Sequence, residues 1–265
     1  MLIVLIAGIV WIVKKIKSKR MKALLLISIL SFCLAGYSFP QNQFHKFKVT
    51  DNIEVIKITD NCYVHVSYSE IPPWGRLGSN GVIFTDNGEA ALFDTPGTDS
   101  LTMDLINWIR DTLKVKIVAF VPNHWHVDCM GGLAYVNSLG IESYANEMTR
   151  QIAKAKNLPV PLHGFVDSLT LTVGTKKIFC NYPGAAHALD NIVVWIPSES
   201  VLFAGCMVKE LKSTNLGNTA DGNLKEYNAT VKKVRDKYQN AKYVIPGHGE
   251  FGGTELLQHT FDLSK

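Results

Sequence analysis

The segment His124-Trp125-His126-Val127-Asp128 places two imidazoles and a carboxylate within five residues. At neutral pH these groups are good ligands for a borderline-soft divalent metal such as zinc. Three more candidate ligands follow far downstream: His187, Cys206 and His248. Each stands beside small residues or turn formers, in Ala185-Ala186-His187, Ala204-Gly205-Cys206 and Pro246-Gly247-His248-Gly249. Six ligands are too many for one tetrahedral zinc. They suit two zincs with three protein ligands each, which leaves positions open for water and so marks catalytic rather than structural metal. His124 and His126 are two residues apart, so in an extended segment both rings lie on one side and can share a metal, while Asp128 reaches the neighbouring one. On the same extended reading Cys129 points away and stays out of the ligand set. Taken singly, His187 reads as structural and Cys206 as core. Their presence together with the first cluster is what makes a site.

Stepping outward, the elements that must position these groups are legible in part. Short strands come first, at 53–58, 62–68, 81–85 and 90–94, rich in β-branched and aromatic residues and separated by Asp, Asn and Gly turns. A helix over 100–113 carries Leu101, Leu105, Ile109 and Leu113 as one apolar stripe. The apolar strand 116–121 ends at Pro122, directly before the histidine cluster, and Gly131-Gly132 leads into a helix through Leu139. The second half repeats the order. Strands are expected at 168–173, 177–181, 192–196 and 201–204. A long helix follows over 222–239, with Leu224, Tyr227, Val231, Val234 and Tyr238 on one face, then a strand at 242–245 and a helix over 254–263. Two similar halves with sheets inside and helices outside predict an α/β fold, a four-layer αββα sandwich. Every candidate ligand then falls at a strand end or in a loop, along one rim.

Composition limits the function classes. Hydrophobic residues make up 47% of the 265 and charged residues 19%, enough apolar material for a sizeable core. The net charge of +4 misleads, because Lys14, Lys15, Lys17, Lys19, Arg20 and Lys22 are unopposed in residues 1–40 and the rest of the chain carries −2. The basic balance therefore gives no case for nucleic-acid binding. Residues 1–42 read as a targeting region and 43–265 as the functional domain. Met21-Lys22 followed by the apolar run 23–35 has the form of a secretory signal, with translation starting at Met21 and export to the periplasm. The alternative is a membrane anchor formed by that run together with the apolar run 1–13. A monomer is expected. Whether Cys62 and Cys180 pair stays open.

The chain resembles the metallo-β-lactamases from about residue 50 onward, and within them the class B enzymes with two zincs and a cysteine ligand. The resemblance rests on Asn123-His124-Trp125-His126-Val127-Asp128-Cys129, Asp190-Asn191-Ile192-Val193-Val194-Trp195, Gly205-Cys206-Met207-Val208-Lys209 and Pro246-Gly247-His248-Gly249. It implies a first zinc on His124, His126 and His187 and a second on Asp128, Cys206 and His248. The implied reaction is hydrolysis of the β-lactam amide of penicillins, cephalosporins and carbapenems by zinc-activated water, conferring antibiotic resistance. Asp128 would orient the nucleophile, Lys209 would pair with the substrate carboxylate, and Asn218 would donate to the lactam oxygen. Trp74, in Ile71-Pro72-Pro73-Trp74-Gly75, falls where the family has a hairpin over the site. Asp94 resembles a buried aspartate beneath the metals. Ala186-His187-Ala188 stands where the family often has Gly-His-Thr, which removes a hydroxyl but no ligand. Two rival readings remain at this level: a lactone or thioester hydrolase of the same fold, and a non-catalytic zinc-binding envelope protein. Lys209, Asn218 and Trp74 weigh against the first, and the intact ligand set weighs against the second.

Overall fold

Four segments read as nearly unbroken apolar runs: Glu89–Phe93, Lys116–Val121, Val201–Gly205 and Tyr243–Pro246. They form two parallel strand pairs, the first with the second and the third with the fourth. Parallel strands are covered on both faces, so alternation of polar and apolar residues is lost there. The outer strand Ser168–Val173 keeps it, with Leu171 and Val173 buried between exposed Thr170 and Thr172.

The computed structural model describes residues 44–73 and 75–265. The targeting region expected over 1–42 and Trp74 lie outside these residues. Among the described residues thirteen strands form two sheets. The first sheet runs in chain order: β1 (His45–Lys48), β2 (Ile53–Lys57), β3 (Cys62–Ile71), β4 (Gly75–Asp86), β5 (Glu89–Phe93), β6 (Lys116–Val121), β7 (Glu142–Asn146) and β8 (His163–Phe165). The second holds β9 (Ser168–Val173), β10 (Lys176–Asn181), β11 (Val193–Ile196), β12 (Val201–Gly205) and β13 (Tyr243–Pro246), β9 and β13 at its edges. The sheets approach one another at β4 with β12 and at β5 with β9.

Helices α1 (Asp99–Trp108), α2 (Val127–Met130), α3 (Leu133–Ser138) and α4 (Glu147–Ala155) belong to the first half, α5 (Leu224–Lys237) and α6 (Glu255–Leu263) to the second. Leu105, Ile109, Leu133 and Val136 pack on Ile83, Leu92 and Phe120 of the first sheet. Tyr227, Val231, Val234, Leu256 and Leu257 pack on Val193, Leu202 and Val244 of the second. Helices thus cover the outer faces of two facing sheets, the four-layer αββα sandwich read from the sequence. Three helix starts are capped by side chains, α1, α4 and α5: Thr98 accepts from Leu101 N–H, Asn146 from Met148 N–H and Asn223 from Lys225 N–H. No helix among the described residues is long and apolar enough to cross a membrane.

The differences from the sequence reading are local. The helix expected over 100–113 is α-helical only to Trp108, and Ile109–Leu113 winds as a wider π turn. A stripe spaced every four residues overshoots the 3.6-residue turn, and the wider turn keeps Leu113 over the core beside Ile109. Leu224, expected on the buried face of α5, is 60% exposed because it is the first residue after the Asn223 cap. β1, β7, α4 and β8 were not foreseen. β7 is Glu-Ser-Tyr-Ala-Asn and β1 an exposed His-Lys-Phe-Lys edge, so neither carries a β-branched residue.

The two halves are clasped where the β4–β5 turn meets the β9–β10 turn. Thr175 N–H and its hydroxyl donate to Asp86 Oδ2 at 2.6 and 2.8 Å, and Gly174 N–H donates to Glu89 Oε2 at 2.8 Å. The Thr175 backbone bond, then its hydroxyl, hold the Asp86 carboxyl below its ordinary 3.8. A depressed folded value means stability that is complete above pH 3.8 and is lost as pH falls through the folded value. Asp86→Ala is therefore expected to lower the urea midpoint at pH 7. The gap to the parent should close at still lower pH, and urea titrations at several pH values check this.

Candidate metal centre

Asp94, at the end of β5, is buried and holds a left-handed φ of 60°. Its Oδ1 accepts the Asn123 N–H. Asn123 Nδ2 donates in turn to the Ile192 carbonyl, and Ile192 N–H donates to the Asn123 carbonyl at 2.9 Å. The stub after β6 is thereby sewn to the start of β11 in the other sheet. Burial, opposed by the Asn123 N–H, raises the Asp94 carboxyl well above the usual carboxylate range. Trp125 N–H donates to Asp190 Oδ2 at 3.0 Å, which also accepts the Thr149 hydroxyl at 2.7 Å. The backbone between the two histidines is therefore anchored.

His124, His126 and His187 converge, their nearest ligand atoms all within 4.8 Å of one another. His124 Nε2 lies 2.8 Å from His126 Nδ1. The other nitrogen of His126 donates to Asp221 Oδ2 at 2.9 Å, and His124 Nδ1 faces Asn123 Oδ1 at 3.3 Å. His126 thus spends its proton on Asp221 and turns Nδ1 inward, and His124 turns Nε2 to the same point. Burial, then the neighbouring His187 and His126, push His124 well below the usual histidine value. Burial first, then Lys209, takes His187 down to about 3.

A second trio, Asp128, Cys206 and His248, meets under the same 4.8 Å limit. His248 Nε2 is 3.1 Å from Asp128 Oδ2, and Cys206 Sγ lies 3.4 Å from each of them. His248 Nδ1 donates to the Gly78 carbonyl at 2.8 Å, which leaves Nε2 for the cluster. Burial opposes charge on Asp128, but the His248 contact and His124 outweigh it and hold the carboxyl below its usual range. Burial likewise works against His248, but Cys206 and Asp128 raise it well above the usual histidine value. The Cys129 contact lowers the Cys206 thiol.

The extended geometry assumed for this stretch fails beyond His126. Val127–Met130 is a helical turn, so Asp128 sits on α2 and not on a strand end. Cys129 does not point away: its Sγ is 3.2 Å from His124 Nδ1, and it forms a further cluster with His124 and Cys206. A helical turn brings successive residues round one end, where an extended chain would alternate them. Cys62, Cys129, Cys180 and Cys206 are free thiols.

His126, His187, Asp128 and His248 line the floor of a cavity of about 720 Å³, with His124 and Cys206 buried behind them. Pro72, Leu77, Trp125 and Val127 give it an apolar wall, and Lys209, Lys212, Asn215 and Asn218 a polar one. Lys209 Nζ donates to the Cys206 carbonyl at 2.7 Å, and Ala220 N–H donates to Asn218 Oδ1 at 3.1 Å. The β3–β4 hairpin pairs Ile71 with Gly75, and Pro72 in its turn lines the cavity.

No protein-family model matches the chain. It is 49% identical over 213 residues to metallo-β-lactamase type 2 of Bacteroides fragilis, covering 80% of this chain and 86% of that one. It is 33% identical over 216 residues to metallo-β-lactamase type 2 of Bacillus cereus, covering 82% and 84%. The metallo-β-lactamase of Pontibacter korlensis superposes with a TM-score of 0.77 at 35% identity, over 80% of this chain and 98% of that structure. The chain belongs to the metallo-β-lactamases. It is a metal-dependent hydrolase of β-lactams, and the lactone, thioester and non-catalytic readings fall away.

The donor set fits zinc. His124 Nε2 and His126 Nδ1 meet at 2.8 Å, aimed at one point that His187 also faces. His187 Nδ1 is buried with no hydrogen-bond partner, which a structural core histidine avoids. A thiol, a carboxylate and an imidazole together make a borderline-soft site.

This metallo-β-lactamase also uses residues that the sequence reading missed. Asn80 Nδ2 donates to the Pro246 and Gly249 carbonyls at 2.9 and 2.8 Å and holds the His248 turn from within. Asp221 orients His126. The Asp221-Gly222 pair signals a turn, but nothing in the sequence links it to a ring 95 residues away. Asp221→Ala is expected to weaken metal binding roughly ten- to hundredfold, the usual effect of losing a partner that orients a ligand. Chelator competition measures the affinity, and an unchanged circular dichroism spectrum would show the fold intact.

Proposed function

We propose that the enzyme binds two zinc ions, the first through His124, His126 and His187 and the second through Asp128, Cys206 and His248. This would place it in the class B subclass with a cysteine ligand. Its substrates would be penicillins, cephalosporins and carbapenems. The observation that carries this reading is the convergence of two separate trios, each with two members lining one cavity. Zinc supplies Lewis acidity and lowers the pKa of water toward neutrality.

The chain's own groups do the rest. Lys209 keeps donors beyond the one given to Cys206 and pairs with the substrate carboxylate. Asn218 uses its oxygen internally, so its amide donates to the lactam oxygen as negative charge develops there. Asp128 presents Oδ2 to Cys206 and His248, and its second oxygen orients the attacking water. The apolar wall would face the apolar part of the substrate, which Trp74 would cover. Residues 1–42 direct export to the periplasm, with membrane anchoring as the alternative fate, and 43–265 act as a monomer.

Absorbance assays on the three substrate classes, before and after chelation and with zinc titrated back, test the reading. Activity should vanish and return with two equivalents. Full recovery at one equivalent would refute the paired site. Cys206→Ser should depress turnover strongly by exchanging a thiolate for a poor neutral ligand, and wild-type rates with two bound zincs would remove Cys206 from the set. Lys209→Ala should raise KM with little change in kcat, the mark of lost uniform binding.

A further inference from the structure

We propose that Glu210 is a positioning residue for His248, clasping the turn that carries this ligand from its outer side. The inference rests on the assignment of His248 as a metal ligand. The segment that holds Glu210 is itself fixed at its base. Lys209 N–H donates to Thr260 Oγ1 at 2.8 Å, and the His259 ring donates to the Ser213 carbonyl at 2.9 Å. Ser213 N–H closes a turn on the Glu210 carbonyl at 3.1 Å.

From that base the Glu210 carboxylate reaches the turn after β13, where its Oε2 accepts the Glu250 N–H at 3.0 Å. Gly249 makes the approach possible. Its φ is 78°, and a Cβ there would overlap the Glu210 carboxylate. Lys212 Nζ adds an ion pair to Glu250 Oε1 at 2.9 Å, but both partners are exposed and such pairs are worth little. The Val244–Gly252 bridge closes the base of the turn, and the Glu210 bond to the main chain ties its outer side nearer His248. Asn80 and the Gly78 carbonyl hold only the inner face. Glycines on both sides of His248 leave the turn free to shift when the outer tie is lost. The same short segment carries Lys209, so substrate recognition and the position of His248 share one support.

The test compares Glu210→Ala with Glu210→Gln in the full chain, since Gln keeps an acceptor for the Glu250 N–H. Amide hydrogen exchange of Glu250 in the metal-free protein reads the clasp, and chelator competition reads zinc affinity. Glu210→Ala should speed exchange and weaken zinc about tenfold, with Glu210→Gln within about threefold of the parent. Parental exchange and affinity in Glu210→Ala overturn the proposal, as does equal loss in both variants. Faster exchange with unchanged zinc affinity overturns the positioning role alone. His248→Ala separates the underlying reading: parental zinc stoichiometry there removes His248 as a ligand, whereas its loss beside a parental Glu210→Ala refutes only the clasp.

Discussion

The side chain of Asn123 occupies the space that a Cβ on residue 205 would need, and Gly205 holds a φ of 60°. This contact joins the end of β6 to the end of β12, so the two sheets meet at the rim where the ligands emerge. His124 follows Asn123 and Cys206 follows Gly205, so the approach of two backbones sets the spacing of both trios. Gly247 repeats the device beside Cys206, where a Cβ would overlap the thiol sulfur. Small residues at this rim are therefore geometric requirements.

Electrostatics then follows from burial. In the first trio His126 and His124 have hydrogen-bond partners on their outer sides, and desolvation keeps His124 and His187 neutral. The second trio brings a carboxylate, a thiol of lowered pKa and an imidazole of raised pKa into one contact. One site thus presents three nitrogen donors and the other a carboxylate, a thiol and one imidazole, which suits two cations of the same kind in different chemical settings. Asp94 lies beneath both and ties the floor of the cavity to Asn123.

Much of the architecture was legible because its strands are marked by strong local signals. β6 and β9 were bounded correctly to the residue, and the stripe Tyr227, Val231, Val234 and Tyr238 identified α5. β7 and β8 escaped because they pair at the margin of the sheet, are short and carry one aromatic and no β-branched residue each, and β4 runs further than expected because β3 imposes pairing on its polar, glycine-rich start. Leu224 and Cys129 were misjudged for one reason: the sequence pattern gives a face, and the face turns with the local backbone. An extended reading placed Cys129 outward, and a single helical turn brought it to the ring of His124.

Residue identity by itself determined the chemistry on offer: imidazoles, a thiol and a carboxylate, near one another in sequence or bordered by turn formers, and a family resemblance spread over four separate segments. That information is local, because ligand type and turn preference belong to single residues and their neighbours. Which groups share a cluster, which ring nitrogen faces inward and which distant partners hold it were decided only in the tertiary structure. Asp221 beside His126, Asn80 beneath the His248 turn and Glu210 over it are each separated from their partners by tens of residues or more. Contacts of that kind arise from how two sheets pack, and packing is a property of the whole chain.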